Sequence, residues 1–396
     1  MKYQSSPAGP ASGAEPTRRK LLLQFSALAL AAPGAVSAVR ARPTDRPLVG
    51  ALRWDAWYVP GSEPTTAMER SLSPPQYQFR LPFFARRTPD NHVSLPALSA
   101  NLMALEIAQA AYAGLDFWAF VAYPRESPMT VALRQYLAGP TRRMGFCMFT
   151  QLDNWGTAGA PAPLSEEHIA LMKHEAYVRV ADGRPLYFLG FITAARANDR
   201  WHDLAGLRAE IAHFRSRSLA ANAGNPYIVL GGAPKEIVAL APMLDGDAVG
   251  AYAISDGRGI GDYAALVRIA QAGWQTLAGA NLPVVPTVMT GWDRRPRVEH
   301  PVPWEHQQRP GAGMEYHFGA PRPEEIAAHL RRAIAWMQGQ PADRRAPAVL
   351  IYAWNENDEG GWLVPTLPCD TRRLEALHGV LTQNRHIRPP GCAIAP

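Results

Sequence analysis

Eight apolar runs, each short enough for a strand, alternate with amphipathic stretches along this chain of 396 residues. That alternation limits the possible folds more than any other feature. The strand-like runs are Val49–Trp54, Asp116–Ala122, Gly145–Gln151, Pro185–Phe191, Pro226–Gly231, Ala248–Ile254, Pro283–Met289 and Ala348–Ala353. Between and after them, Ser99–Ala113, Met129–Leu137, Glu166–Glu175, Leu204–Leu219, Pro234–Leu244, Tyr263–Ala278, Glu324–Met337 and Thr371–Leu381 carry apolar residues at three-to-four spacing, the period of a helix with one buried face. Asp262 and the Pro321-Arg322-Pro323-Glu324 segment are helix starts, and Gly114 and Gly273 fall at or just inside helix ends. Strand-helix alternation builds a parallel sheet, and eight units close a barrel. The expected fold is α/β, a single (β/α)8 TIM barrel over residues 39–396, with long loops after strands one (Val59–Pro96) and seven (Thr290–Pro321). An open doubly wound sheet would carry a glycine-rich phosphate loop after its first strand, whereas this strand runs into Arg53-Trp54-Asp55-Ala56-Trp57-Tyr58.

In a barrel the chemistry sits where the strands finish. Strand one ends in Trp54, Asp55 and Trp57; strand two in Tyr123; strand three in Asp153, Asn154 and Trp155; strand seven in Trp292 and Asp293; strand eight in Trp354, Asn355, Glu356, Glu359 and Trp362. This mixture of aromatics, carboxylates and amides suits sugars, which offer C–H faces for stacking and hydroxyls for hydrogen bonds. Glu356 and Glu359, three residues apart, are the candidate catalytic pair, since glycoside hydrolysis needs two carboxyl groups in different protonation states. Strand parity places Tyr352, Trp354 and Glu356 on one face, and Gly360-Gly361 lets the chain bend beyond them. The other named residues are candidate substrate ligands. Each has a structural alternative: a strand-end cap for Asn355, core packing for Trp292 and Trp354, and an ion pair with Arg294 or Arg295 for Asp293. Glu356, Asp293 and Asp153 are expected to share one cleft.

Histidine is nearly absent from these strand ends, and there is no Gly-x-Ser-x-Gly elbow. The pattern therefore calls for no metal, no cofactor and no serine nucleophile. The net charge of +6 includes +3 from residues 1–38 (Lys2, Arg18, Arg19 and Lys20 against Glu15). The remaining basic residues are scattered, which excludes a nucleic-acid footprint. Residues 1–38 read as a twin-arginine-type export signal. Thr17-Arg18-Arg19-Lys20 precedes an apolar stretch to Ala32, and Val36-Ser37-Ala38 forms a small-residue cleavage site. No segment is apolar over the length of a membrane span, so the expected membrane involvement ends with that signal. Cys147 lies in an apolar run and reads as a buried hydrophobe, while Cys369 and Cys392 could pair.

The Trp354-Asn355-Glu356-Asn357-Asp358-Glu359-Gly360 segment resembles the Trp-Asn-Glu-x-x-Glu-Gly signature of glycoside hydrolase family 99 and of WbsX-like proteins. Gly291-Trp292-Asp293-Arg294-Arg295-Pro296-Arg297 is similar to the Gly-Trp-Asp-x-x-Pro-Arg motif of WbsX-like chains, and Asp182-Gly183-Arg184-Pro185-Leu186-Tyr187 to their strand-entry pattern. The chain departs from family 99 at Asn357, where an aromatic residue is usual. The resemblance implies a (β/α)8 barrel that acts on glycans. It implies Glu359 as general acid/base, with a pKa raised by burial beside Trp362 and by the charge of Glu356. Glu356 would act as base toward a neighbouring sugar hydroxyl, with overall retention. The expected function is an exported glycoside hydrolase with a carbohydrate substrate. The alternatives are a non-catalytic carbohydrate-binding or polysaccharide-assembly protein and a WbsX-type glycosyltransferase.

Overall fold

Each of the eight expected strands forms, and each pairs in parallel with its neighbours. The computed structural model describes residues 46–139, 144–161, 163–306, 308–382 and 387–394, so the expected export signal lies outside the described residues. The strands are β1 (Leu48–Arg53), β2 (Phe117–Val121), β3 (Gly145–Gln151), β4 (Arg184–Gly190), β5 (Tyr227–Gly231), β6 (Ala248–Gly250), β7 (Thr287–Met289) and β8 (Ala348–Tyr352). Their order is β6-β5-β4-β3-β2-β1-β8-β7. The ring closes through a bridge between Val249 and Val284. There the Val249 amide donates to Pro283 O and the Val285 amide to Val249 O, both at 2.9 Å.

The seventh run is divided. Val284 pairs with β6, while Thr287–Met289 pairs with β8. Pro286 lies between the two parts and has no N–H to give a ladder. Strand six ends at Gly250, four residues before its expected end at Ile254. Both departures matter for what the barrel mouth contains.

Eleven helices lie between and after the strands among the described residues: α1 (Glu63–Leu72), α2 (Ala100–Ala113), α3 (Val131–Ala138), α4 (Pro163–Leu171), α5 (Ala194–Trp201), α6 (Leu204–Ala220), α7 (Pro234–Leu240), α8 (Tyr263–Ala278), α9 (Arg295–Glu299), α10 (Pro323–Gln338) and α11 (Arg372–Leu381). Side-chain caps start several of them. Ser99, Asp203 and Asp262 accept from the amides of Leu102, Gly206 and Ala265, meeting donors that a helix start leaves open. Gly114 closes α2 with φ of +85°, a left-handed position that glycine occupies without a Cβ penalty. Gly273 departs from expectation. It lies inside α8, and its role is packing, because a Cβ there would come within 2.7 Å of Ile254 Cγ2. α1, α5 and α9 were not foreseen; α1 and α9 lie within the two long loops.

Apolar side chains fill the barrel and the layer between strands and helices. Across the interior runs an aromatic row. Phe149 meets Tyr252 at 5.2 Å between ring centroids, Tyr252 meets Tyr352 at 5.6 Å, and Tyr352 meets Trp292 at 5.6 Å. Cys369 and Cys392 form a disulfide, while Cys147 is buried and free. Among the described residues no helix is long and apolar enough to cross a membrane.

Candidate active site

β8 stops at Tyr352, and the chain then folds back on itself. Asn355–Glu356 pairs antiparallel with Gly361–Trp362, and a turn of 3-10 helix over Asn357–Glu359 joins them. Gly360 makes this turn possible, with φ of +88° and no room for a side chain. A Cβ there would stand 2.6 Å from the amide nitrogen of Asp293. The tight approach brings the loop after β7 against the loop after β8, and the Asp293 amide donates to Glu359 O at 2.7 Å.

The turn holds three carboxylates, Glu356, Asp358 and Glu359, all removed from solvent. One guanidinium serves all three. Arg297 of α9 donates from Nη2 to Glu356 at 3.2 Å and from Nη1 to Glu359 at 2.5 Å, and it also holds Asp358 through Nε. Arg294 adds a bond from Nε to Glu359 at 3.0 Å, and Glu305 accepts from both Arg294 and Arg297. The aromatic row supplies two hydroxyls from below, Tyr252 donating to Glu356 and Tyr352 to Glu359. Trp54 closes one side. Arg297 lies 4.9 Å from its ring centre, and its indole N–H donates to the Tyr123 hydroxyl at 2.7 Å.

This arrangement separates the two glutamates electrostatically. Burial pushes Glu356 up, the charge of Glu359 adds to it, and Arg297 offsets only part, leaving Glu356 well above the usual carboxylate range. Burial also opposes ionisation of Glu359, but Arg297 and Arg294 outweigh it and hold this carboxyl below its ordinary value. The expectation of a raised Glu359 is thus corrected. The raised carboxyl is Glu356, because two arginines face Glu359 and one faces Glu356.

The expected ligands divide into groups. Trp54, Tyr123, Trp292 and Glu359 gather around Glu356 through Arg297 and Tyr352. Asp293 lies against the same turn, but its carboxylate is held by Arg80 and by Arg295 at 2.8 Å, which keeps it low against the effect of burial. Asn355 caps the turn: its Oδ1 accepts from the Trp54 amide at 2.8 Å and its Nδ2 donates to Asp55 at 3.1 Å. Asp55 in turn belongs to a buried group with Arg53, Glu106 and Tyr58, and is pushed up to about 6 by burial. Asp55 and Asn355 therefore support the loop from beneath.

Three expectations are corrected by packing. Trp57 lies against Tyr58 and Phe84, Trp155 against Trp201 and Phe214, and Trp354 against Trp118 and Glu106; at 1 %, 1 % and 0 % exposure they present no face to a sugar. Strand parity also fails beyond Tyr352, since the strand ends there: Tyr352 turns to Tyr252 and Trp354 to the opposite side. Asp153 does not join the carboxylate group; its ion pairs are with Arg196 and Arg200 of α5, at 3.2 and 3.4 Å. Asn154 donates to Ala122 O at 3.3 Å, tying the third loop to the second. Trp362 stands over Arg373 on the outer side of the turn.

Sequence reasoning missed Arg297, Asp358, Tyr252 and Tyr352. Arg297 closes the Gly-Trp-Asp motif, so its position carried a signal. Tyr252 was hidden because strand six was extended past it. Among the described residues no group of three or more His, Cys, Asp or Glu side chains is placed to hold a metal.

A scan of protein-family models and a search of curated proteins found no match. The fold has counterparts among solved structures. The GH99 endo-alpha-mannosidase from Bacteroides thetaiotaomicron superposes with a TM-score of 0.52 at 13 % identity, covering 84 % of this chain and 95 % of that one. The structure of the same enzyme with BIS-TRIS-propane gives 0.52 at 14 % identity, with the same coverage. The likeness is one of fold: this chain is a (β/α)8 barrel similar to that of a family 99 glycoside hydrolase.

Proposed function

We propose that the protein is a glycoside hydrolase that cleaves a poly- or oligosaccharide with the Glu356/Glu359 pair. The observation that carries this reading is geometric: two buried carboxyl groups share one turn beyond the last strand, Glu359 facing Arg294 and Arg297 and Glu356 facing Arg297 alone. Such a pair provides a proton donor for the leaving oxygen and an ionised partner at the same pH. The second arginine at Glu359 favours Glu356 as the proton holder and Glu359 as the ionised partner, the reverse of the roles that the sequence resemblance implies. Trp292, half-buried beside the pair, supplies an apolar face for a sugar ring, while Trp54 is buried against Arg297 and Trp304.

The test is a panel of glycans incubated with the mature protein and scanned for reducing-end release, then repeated with Glu356→Gln and Glu359→Gln. Each substitution keeps shape and removes a titrating group, so each should cost about 10²–10⁴-fold in rate. The loss should shrink on substrates with good leaving groups for whichever glutamate is the acid, Glu356 by the electrostatic assignment. Near-full activity in both variants refutes the pair. One observation favours a non-catalytic carbohydrate-binding role: Arg297 already spans both glutamates. Binding without release across the panel would support it.

Export is part of the proposal. The Thr17-Arg18-Arg19-Lys20 segment motivates it, and the Cys369–Cys392 disulfide suits an oxidising destination. A nucleotide-sugar transferase would need a cytoplasmic donor, which speaks against the transferase alternative. Arg18→Lys with Arg19→Lys should retain the precursor in the cytoplasm; unchanged export of the double variant refutes the address.

A further inference from the structure

Asp358 stands between the two candidate catalytic glutamates in sequence, at a position that the Trp-Asn-Glu-x-x-Glu-Gly pattern leaves open, and it is fully buried. A carboxylate removed from water costs free energy unless a cation meets it. Arg297 meets this one with a two-point fork, from Nε to one oxygen and from Nη2 to the other at 3.1 Å. A guanidinium carries five N–H donors in a fixed plane. Those of Arg297 are all engaged. Two go to Asp358, the second hydrogen of Nη2 goes to Glu356 at 3.2 Å, and those of Nη1 go to Glu359 and, at 3.3 Å, to Glu305. Asp358 therefore takes two donors where each glutamate takes one.

A fork fixes the plane of a guanidinium, which a single bond does not. With the plane set by Asp358, the Nη1 edge of Arg297 meets Glu359, where Arg294 adds a second cation. Glu356 is reached only by the N–H that Asp358 leaves over. Its other neighbours are the Tyr252 hydroxyl from the loop after β6, the phenols of Tyr123 after β2 and Tyr352 at the end of β8, and the carboxyls of Asp358 and Glu359 in its own turn. One shared cation thus faces two other acids at Glu356, while two cations face Glu359. A like charge nearby opposes ionisation. Burial and the charge of Glu359 are the larger influences that raise Glu356, and Asp358 adds to them. Burial also pushes Asp358 itself up, and Arg297 is the leading influence against it.

We propose that Asp358 is a positioning residue that distributes the protons of the turn: it orients Arg297 through the fork and, by its own charge, keeps the proton on Glu356 while Glu359 stays ionised. The inference rests on the glycosidase reading for its catalytic meaning. The ionisation pattern itself exists whether or not the protein cleaves a glycan.

The experiment labels the Asp and Glu carboxyl carbons of the full chain with 13C, assigns each through its own backbone, and titrates them by NMR. In the wild type Asp358 should be ionised at a pH where Glu356 still holds its proton. A protonated Asp358 there overturns the inference, and this arm decides alone if the next variant does not fold. Asp358→Asn removes the charge and one arm of the fork, so Glu356 should hold its proton about tenfold less tightly, while Glu359 stays at its wild-type value or falls. A merely structural role has a different signature. If the substitution only loosens the turn and admits water, both glutamates move toward the ordinary value, Glu356 down and Glu359 up. That outcome, or an unmoved Glu356, overturns the inference. On any glycan that the wild type cleaves with Glu356 as acid, the alkaline limb of kcat/KM should move to lower pH in Asp358→Asn, in step with the NMR titration. A protein that titrates as described and cleaves nothing leaves the inference standing and removes only the hydrolase reading.

Discussion

The amide of Asp293 donates to the carbonyl oxygen of Glu359 over 2.7 Å, and this one bond makes the loops after β7 and β8 a single unit. Through it the arginines of the seventh loop are delivered to the glutamates of the eighth. Arg294 and Arg297 reach Glu359 from one side of the bond, while Arg80 and Arg295 hold Asp293 on the other. The charge state of the candidate catalytic pair is therefore a property of two loops held in register.

Arg297→Met should leave three buried carboxylates with little neutralisation. Removing one partner of a buried ion pair costs about 3–5 kcal/mol. We expect a loss of at least that size in urea denaturation at pH 7, with partial recovery at lower pH as the carboxyls take up protons. A variant as stable as wild type would show that Arg297 does not hold the group together.

Asp55 gives stability a pH dependence with a defined sign. Its folded pKa of about 6 stands above its ordinary 3.8, so the folded state binds the proton more tightly. Stability from this group is complete below about pH 4 and declines as pH rises through 6. The span corresponds to roughly 2–3 kcal/mol. The difference between wild type and Asp55→Asn, measured by denaturation from pH 4 to 7, should fall over that window and flatten above it. A difference that rises with pH would contradict the buried setting of Asp55.

Gly360 and Gly379 should respond oppositely to alanine. At Gly360 a Cβ meets a left-handed backbone and the Asp293 amide, so Gly360→Ala should lose more than the ~1–2 kcal/mol of the backbone conformation alone. Gly379 lies within α11 with nothing within 4 Å of an added Cβ, so Gly379→Ala should gain roughly 0.5–1 kcal/mol from helix propensity. Thermal denaturation of both variants decides it; similar shifts would refute the tight approach at Gly360.

The two tryptophans of the sequence motifs should separate by phenotype. Trp354→Ala empties a fully buried site and should cost about 3–5 kcal/mol. Trp292→Ala opens a partly exposed face at the mouth and should raise KM about tenfold for a cleaved glycan, the size expected for losing one stacking contact of ~1.4 kcal/mol. Equal effects on stability would show that both rings are core.

Removing the disulfide with Cys369→Ser should destabilise the oxidised protein by about 3 kcal/mol, the loop-closure value for a separation of 23 residues. Denaturation with and without reductant measures it. A wild type insensitive to reductant would show that the bridge contributes nothing.

The barrel was legible in the order of residues because strand and helix periods are local. Eight apolar runs and their intervening amphipathic stretches read the same way in isolation as in the fold, and Ser99, Asp262 and Gly114 act within a few residues of themselves. The placement of Glu356 and Glu359 just beyond the last strand was legible too, since it follows from that order. Which glutamate keeps a proton was not. It depends on Arg294 and Arg297, some sixty residues earlier, and on burial created by the whole mouth. The different partners of Trp354, packed on Trp118, and of Trp362, packed on Arg373, were equally hidden, because side-chain alternation ends with β8 at Tyr352 and a bent backbone has no period to read. Local periodicity specifies elements; the electrostatics of a buried site arise from distances between residues that sequence keeps apart.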